Sequence, residues 1–344
     1  MGKQGRETNE VALSAGGSRR SSRGRPTRSL CATLVAVAAA CALVAAPALA
    51  ATAGGKPTAT TGAASSLTYE SAQLAATVNP GDESTEVYFQ YGTTNTYGYQ
   101  SAPTQLPAGK ATVPVSIAIS GLAAGTTYHF RIVATNATAT SLGLDKSFQT
   151  AKIPLSLAIT AAPNPVGFGG AVTIEGTLSG TGNSGVAVQL QQSPFPYTAA
   201  FADVGNPELT LSGGSFSFNV LALTLNTEFR VVSGTVSSSS VLVSDSLAVT
   251  LNAKPTGTKK RPTVRFTGKI APGEPSARIA FERLEGTNWK VIGGTVAGAA
   301  VVNGLVSFAA TVRIHFTGFF RALVLPVEGA HVSGYSPTVS VRIK

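Results

Sequence analysis

Short apolar runs with alternating side chains, separated by turn residues, most restrict what this chain can fold into. In GLAAGTTYHFRIVATN, residues Gly121–Asn136, a turn precedes Tyr128, and apolar residues then alternate with polar ones. A period of two, with Pro, Gly, Asn and Asp between the runs, is typical of antiparallel sheets. Only 12% of the residues are charged, and Thr, Ser and Val are abundant, which disfavours long amphipathic helices. The sequence predicts an all-β fold.

An internal repeat predicts more than one domain. The segment GGSFSFNVLALTLNTEFRVV, residues 213–232, resembles NGLVSFAATVRIHFTGFFRALV, residues 303–324. Gly176 and Gly268 begin a second pair of similar segments and lie 92 residues apart, and Phe229 and Phe320 lie 91 apart. We interpret the repeat as two copies of one sandwich of roughly 90 residues. We expect Phe229 and Phe320 to stand where the preceding domain has Tyr128.

The first 50 residues predict export. Five arginines between positions 19 and 28 precede the uncharged run Leu30–Ala50, which ends in Ala-Leu-Ala, the pattern of a cleaved signal peptide. An uncleaved anchor is the alternative, because a run of 21 uncharged residues is long enough to cross a bilayer. Both general secretion and the twin-arginine route stay open, the latter because of Ser18-Arg19-Arg20.

The residues around the signal peptide constrain the mature chain. Cys31 and Cys41 are the two cysteines and both lie inside the signal, so we expect no disulfide and no cysteine ligand in the exported protein. Residues 51–66 are small and polar with Gly and Pro, which predicts a flexible leader. The segment NAKPTGTKKRP, Asn252–Pro262, is interpreted as a linker between the two copies.

Tyr128 fits a tyrosine corner, with Leu122 and Gly125 in the preceding turn: a buried ring whose hydroxyl bonds to the turn backbone. Together with VNPGDESTEVYFQYGTT upstream and DKSFQT downstream, this stretch resembles the fibronectin type III modules of exported bacterial proteins. The family's early-strand tryptophan is missing, so Val87, Phe89 or Tyr91 is expected to fill its place. Its Arg-Gly-Asp tripeptide is also absent, so no receptor recognition is implied.

The two repeats resemble the immunoglobulin-like β modules of exported actinobacterial proteins. Both resemblances together imply three tandem antiparallel β-sandwich domains after the signal peptide. Their expected bounds are 67–150 for the fibronectin type III domain, and 153–251 and 260–344 for the two immunoglobulin-like domains.

The residues do not assemble a recognisable catalytic or metal site. His315 and His331 have no acidic neighbour in sequence, and His129 is expected on a strand surface. The acidic turn Asp82–Glu86 offers too few oxygen ligands for calcium, and no phosphate-binding or nucleophile-elbow motif occurs. Asn136-Ala137-Thr138 fits a glycosylation sequon, a triplet that is common by chance. We therefore expect no enzyme, no metal and no cofactor.

Two sets of aromatic residues are candidates for binding. Phe195, Tyr197 and Phe201 lie in the proline-rich stretch QSPFPYTAAF, and Trp289 lies between Glu285 and Lys290. Exposed rings in sandwich loops can stack on sugars or partner surfaces. Burial as additional core is the alternative for both sets.

The basic run Lys259, Lys260 and Arg261 is the strongest electrostatic feature, with Arg265, Lys269, Arg278 and Arg283 nearby in sequence. Residues 251–344 contain thirteen Lys and Arg against four acidic residues, whereas residues 153–250 contain one against five. Such asymmetry attracts polyanions over long range. A soluble surface with ordinary lysines is the alternative.

These features predict an exported, non-enzymatic binding or spacer protein of the cell surface or extracellular space. The alternative is a polysaccharide-binding accessory module of a glycan-degrading system. Expected partners are a cell-wall polymer or polysaccharide, or another surface protein, and we expect a monomer. Nucleic acid is not expected, because basic and aromatic residues are not interleaved as in stacking platforms.

Overall fold

The computed structural model describes residues 54–343, which contain strands and no helix. The strands form antiparallel sheets that pack as three tandem sandwiches, so the predicted all-β fold class is confirmed. In this part of the chain there is no helix long and apolar enough to cross a membrane. The signal peptide and both cysteines lie outside the described residues.

The first domain packs a three-stranded sheet, β1-β2-β6, on a six-stranded one, in which β4-β3-β7-β8 is extended by β5 on β3 and β9 on β7. Val87 and Phe89 are fully buried and fill the centre. The strands are β1 (Thr58–Ser65), β2 (Ser71–Asn79), β3 (Thr85–Gly92), β4 (Tyr99–Gln100), β5 (Thr104–Leu106), β6 (Val113–Ser120), β7 (Thr127–Thr135), β8 (Thr140–Leu142) and β9 (Lys146–Gln149).

The prediction of a flexible leader over residues 51–66 is wrong for residues 58–65, which form β1. β1 runs antiparallel to β2, from Thr58 opposite Asn79 to Ser65 opposite Gln73. Thr61 is buried, and its hydroxyl accepts a hydrogen bond from the Ile132 N–H at 3.3 Å. Composition failed here because backbone pairing, rather than apolar area, fixes this edge strand.

The second domain has a three-stranded sheet, β10-β12-β16, facing a six-stranded one, in which β14-β13-β17-β18 carries β15 on β13 and β19 on β17. A short parallel pair, β11 with β20, closes one end. The strands are β10 (Ser156–Ala162), β11 (Val166–Gly167), β12 (Val172–Ser179), β13 (Ala187–Pro194), β14 (Ala202–Asp203), β15 (Glu208–Leu209), β16 (Ser215–Val220), β17 (Thr227–Ser233), β18 (Val236–Ser237), β19 (Val241–Val243) and β20 (Asp245–Ser246).

The third domain repeats this plan. One sheet is β21-β23-β27-β26 with β22 on β23, and the other is β25-β24-β28-β29 with β30 on β28. The strands are β21 (Ala248–Val249), β22 (Asn252–Thr258), β23 (Arg261–Ala271), β24 (Arg278–Glu285), β25 (Asn288–Val296), β26 (Val301–Val302), β27 (Leu305–Arg313), β28 (Gly318–Leu325), β29 (Gly334–Tyr335) and β30 (Val339–Val341).

The predicted linker Asn252–Pro262 is also wrong. Its first seven residues form β22, which pairs with β23 as a hairpin. Leu247 and Val249 are already buried in the third core, so the boundary lies between Ser246 and Leu247. Because Pro255 and Gly257 sit on an edge strand, where neither disrupts a central ladder, the linker-like composition was misleading.

The repeat has a common scaffold. Gly176 lies directly opposite Phe216, and Gly268 directly opposite Phe308. In both copies the ring covers the glycine so closely that a Cβ atom there would lie within 2.4 Å of a ring carbon. The glycines therefore leave the space that the phenylalanines occupy.

An arginine on the second sheet marks equivalent positions in all three domains. Arg131, Arg230 and Arg321 lie opposite Gln90, Gln191 and Glu282, respectively, and each Nε donates to that partner's side-chain oxygen at 2.7–2.9 Å. This register aligns the fully buried Phe229 and Phe320 with Phe130. Their predicted place at the tyrosine corner is therefore wrong, because Thr227 and Gly318 stand there.

Candidate anion-binding end of the third domain

The basic run forms the tip of the β22–β23 hairpin. Thr258 pairs with Arg261, which leaves Lys259 and Lys260 as the two turn residues. All three basic side chains are exposed. The run thus projects from the third domain and does not lie in a connection between domains.

Tertiary structure brings further cations to the same end of this domain. Arg313 ends β27, and the next residue, Ile314, donates its N–H to the Pro262 carbonyl beside the hairpin at 3.2 Å. The C-terminal segment is attached through the Ile343 N–H, which donates to the Thr317 hydroxyl at 3.2 Å. The basic side chains gathered here, which we call the basic end, are Lys259, Lys260, Arg261, Arg283, Lys290, Arg313, His315 and Arg342.

The basic end has little opposing charge. Glu285 is the one carboxylate among its described residues, and it contacts Arg283 at 3.1 Å and Lys290 at 3.9 Å. Arg278, which we also grouped with the run, begins β24 at the opposite end of the sandwich. The sequence could not reveal the additional members, because they come from three separate segments after the hairpin.

The outer face of the adjoining sheet is basic as well. Lys254 and Arg265 are exposed and directly opposed across β22 and β23, and Lys269 lies farther along β23. Like charges facing each other across strands are destabilising. The third domain's four glutamates are at positions 274, 282, 285 and 328, so no carboxylate lies on this face in the described part of the chain. A cleft of about 440 Å³ joins this face to the basic end, lined by Lys254, Lys259 and Arg342.

The candidate aromatic residues are each engaged by a neighbour. Arg230 lies 4.3 Å over the Phe201 ring, and Arg321 lies 4.2 Å over Trp289 and 4.1 Å over Tyr335. Such cation–π stacks occur at the same strand position in each domain, since Arg131 lies over Tyr97 at 4.7 Å in the first. Phe195 and Tyr197 pack edge to face, with centroids 5.6 Å apart. The rings do not form one shared platform.

Tyr128 is placed as a structural residue. It is buried, stacks on Phe148 with centroids 5.8 Å apart, and its hydroxyl accepts the Ala123 N–H at 2.9 Å. Leu122 is buried in the same core. Gly125 has a φ of +62°, and its N–H donates to the Ala151 carbonyl at 3.0 Å.

A buried acid–histidine pair escaped sequence reasoning. Asp245 Oδ2 lies 2.7 Å from His331 Nδ1, and both side chains are buried where the second domain meets the third. Burial raises the pKa of Asp245, and the hydrogen bond with His331 only partly offsets this rise. The residues are 86 positions apart, so no local motif could reveal them. His331 packs against Phe168, and none of the described hydroxyl groups hydrogen-bonds to it.

Two further candidates in the first domain, His129 and Asn136, make structural contacts. His129 Nδ1 lies 2.8 Å from Asp145 Oδ2, near the surface. Although burial opposes it, hydrogen bonding by His129 and Tyr97 lowers the pKa of Asp145. The Asn136 side chain donates to the carbonyls of Gly55 and Pro80 at 2.9 and 3.0 Å, so glycosylation of its nitrogen would disrupt this corner.

The acidic turn Asp82–Glu86 also makes hydrogen bonds and an ion pair. Both Glu83 oxygens accept hydrogen bonds from Thr138, and Asp82 pairs with Lys110 at 3.4 Å. Residues 54–343 contain no group of three or more His, Cys, Asp or Glu side chains placed to hold a metal ion.

Comparison with known proteins gives distant likeness alone. No family model and no curated protein matches the chain. A tetra-tandem repeat from the extending region of a large adhesion protein is 14% identical with a TM-score of 0.29, covering 83% of this chain and 74% of that chain. A two-domain fibronectin type III segment of chicken tenascin is 14% identical with a TM-score of 0.26, covering 52% and 94%. The FN1–FN3 domains of chicken CNTN1 are 13% identical with a TM-score of 0.25, covering 83% and 99%.

Proposed function

We propose that this chain is a non-enzymatic binding and spacing protein of the cell surface or extracellular space, and that its third domain holds an anionic cell-wall polymer or acidic polysaccharide. The basic end carries this proposal. Seven lysine and arginine side chains, with His315, converge there around one carboxylate.

The electrostatics of this end suit a polymer. Clustered charges of one sign raise the local concentration of the opposite sign over distances of about a Debye length, ~8 Å at physiological salt. The outer face with Lys254, Arg265 and Lys269 extends the same charge along β23. A long polyanion can therefore contact the hairpin tip and this face together, which a small anion cannot do.

The spacing role rests on the domain connections. The Ile153 N–H donates to the Thr181 hydroxyl at 2.9 Å, which ties the first connection to the second domain. The second connection is shorter still, because Ser246 pairs within the second domain and Leu247 belongs to the third core. Export and a surface location rest on the predicted signal peptide.

The test is binding of residues 54–344 to immobilised polygalacturonate and to a glycerol-phosphate polymer across a salt series. We expect retention that weakens steeply between low and physiological salt, and a further loss when Lys259, Lys260 and Arg261 are all changed to Glu. The matched control changes the exposed Lys56, Lys146 and Lys152 to Glu, with the same change in net charge. Equal losses in both variants would mean that overall charge, and not the basic end, governs binding.

The alternative, a polysaccharide-binding accessory module, predicts a different pattern. Aromatic stacking on a neutral sugar would withstand salt and charge reversal, and it would be lost with Trp289→Ala or Phe201→Ala. Because an arginine covers one face of each of these rings, the open face alone would serve a sugar. The basic end favours the anionic polymer.

A further inference from the structure

A small pocket lies within the basic end. It has a volume of about 230 Å³ and lies between the β24–β25 hairpin and the segment Arg313–Phe316. Its polar lining consists of Arg283, Lys290, Arg313 and His315 together with one carboxylate, Glu285. The pocket is distinct from the hairpin tip, whose side chains do not line it.

The Arg283 guanidinium is held in place. It lies 4.3 Å over the Phe316 ring, and its Nη1 donates to Glu285 Oε1 at 3.1 Å. Its Nε is buried without a partner, and its Nη2 donates to no described group. A fixed guanidinium with a free terminal nitrogen loses little conformational freedom when it binds an anion.

The other basic side chains of the pocket make few contacts. Lys290 contacts Glu285 alone, at 3.9 Å, and neither Arg313 nor His315 makes a side-chain hydrogen bond within residues 54–343. Three permanent positive charges thus share one carboxylate. The excess positive charge is repulsive without an anion, and it comes from three strands, β24, β25 and β27.

The remaining lining is apolar. Ile292, Ile314 and Phe316 complete the pocket, and Phe316 is 55% exposed. An apolar wall beside convergent donors suits an oxyanion attached to a carbon chain.

We propose that this pocket binds a single phosphate group, such as one unit of a phosphodiester polymer. Donors that converge from several directions match the oxygens of a tetrahedral oxyanion better than the two coplanar oxygens of a carboxylate. The inference deepens the proposed function, on which it rests for the polymer that supplies the phosphate.

The test is a titration of residues 54–344 with inorganic phosphate, followed by backbone amide NMR shifts, with chloride replaced so that ionic strength stays constant. We expect saturable shifts at Ile314, His315 and Phe316. We expect Arg313→Gln and Lys290→Gln each to weaken phosphate binding by about tenfold, since each removes one charge-assisted hydrogen bond. Because both side chains are at the surface, the variants should fold even if Arg283→Gln does not.

The control changes Lys146 and Lys152, exposed lysines outside the third domain, to Gln and should leave phosphate binding unchanged. No saturable shift with phosphate, or equal losses in the control, would overturn the pocket while leaving salt-dependent polymer binding to be judged separately. Equal binding of acetate would overturn the assignment to phosphate. Polymer binding that fails while phosphate still saturates the pocket would count against the proposed function alone.

Discussion

The loops before β17 and β28 occupy the same place in the second and third domains but meet different surroundings. In the second domain, the Asn226 N–H donates to the Ala330 carbonyl at 2.8 Å, and its side chain joins Gly329 and Asp245. In the third domain, Thr317 stands at the equivalent position, exposed beside the basic end. One end of a shared scaffold is thus a docking surface in one copy and an open cationic surface in the other.

The chemistry of the two ends fits these roles. The docking end presents Phe195 against Gly329 and the buried Asp245 against His331, so apolar area and directional bonds dominate. The open end presents charges that stay hydrated until a ligand arrives. The comparison teaches that in this repeat the scaffold specifies the fold, whereas the residues at the loop end determine whether a surface meets its neighbour domain or remains exposed.

The strongest test of this difference is a matched pair of alanine substitutions. Asn226→Ala should lower the free energy of unfolding by roughly 2–4 kcal/mol, because it leaves the buried Asp245 N–H and the partly buried Gly329 carbonyl without partners. Thr317→Ala should cost about 1 kcal/mol or less, because it removes one exposed hydrogen bond, from the Ile343 N–H. Scanning calorimetry of both variants provides the measurement. Similar costs would show that the two ends are equivalent after all.

The shared scaffold is probed by Gly176→Ala and Gly268→Ala. Each methyl group would overlap the phenylalanine ring opposite, so each should destabilise its own domain by roughly 1–3 kcal/mol. Urea unfolding measures both costs: Trp289 fluorescence reports the third domain and hence Gly268→Ala, and circular dichroism of the whole protein reports Gly176→Ala. A marked cost in one copy alone would contradict a common scaffold.

The first domain supplies a feature that the copies lack. Tyr128→Phe should cost on the order of 1 kcal/mol, since the Ala123 N–H loses its acceptor, whereas Tyr128→Ala should cost roughly 3–5 kcal/mol by opening a cavity. Thermal unfolding of both variants distinguishes the two effects. Equally small losses would rule out a corner at this position.

The smallest effect concerns pH at the docking end. Because the pKa of Asp245 is raised above its ordinary value of 3.8 in the folded state, its contribution to stability is complete below that value and is lost as the pH rises through the folded pKa. Asp245→Asn removes this ionisation. The free energy of unfolding of the variant, compared with that of the native protein, should therefore become more favourable as the pH rises from acidic to neutral. If the stability of the two proteins changed with pH in the same way, the raised pKa of Asp245 would be contradicted.

Sequence reasoning worked where a signal was local. Alternation predicted strands such as β7, and the spacing of Gly176 and Gly268 predicted the repeat, because side-chain direction in a strand follows directly from residue order. It failed at β1 and β22, where small or linker-like residues are ordered by backbone pairing with distant strands. The hairpin tip was identified by its three adjacent cations, but Arg313 and Arg342 join it through register and loop packing, which no single stretch records.

The parallel pair of β11 and β20 bears on how the second domain would respond to tension. Its bonds run from the Val166 N–H to the Ser244 carbonyl and from the Phe168 N–H to the Ser246 carbonyl, both at 2.9 Å. Ser246 also pairs in parallel with Val332 of the third domain. A pull on the two ends of the chain draws such strands past each other, so the bonds are loaded simultaneously and must break together. We therefore expect the second domain to yield at a higher force than its equilibrium stability alone would suggest, because forced unfolding follows the rupture barrier.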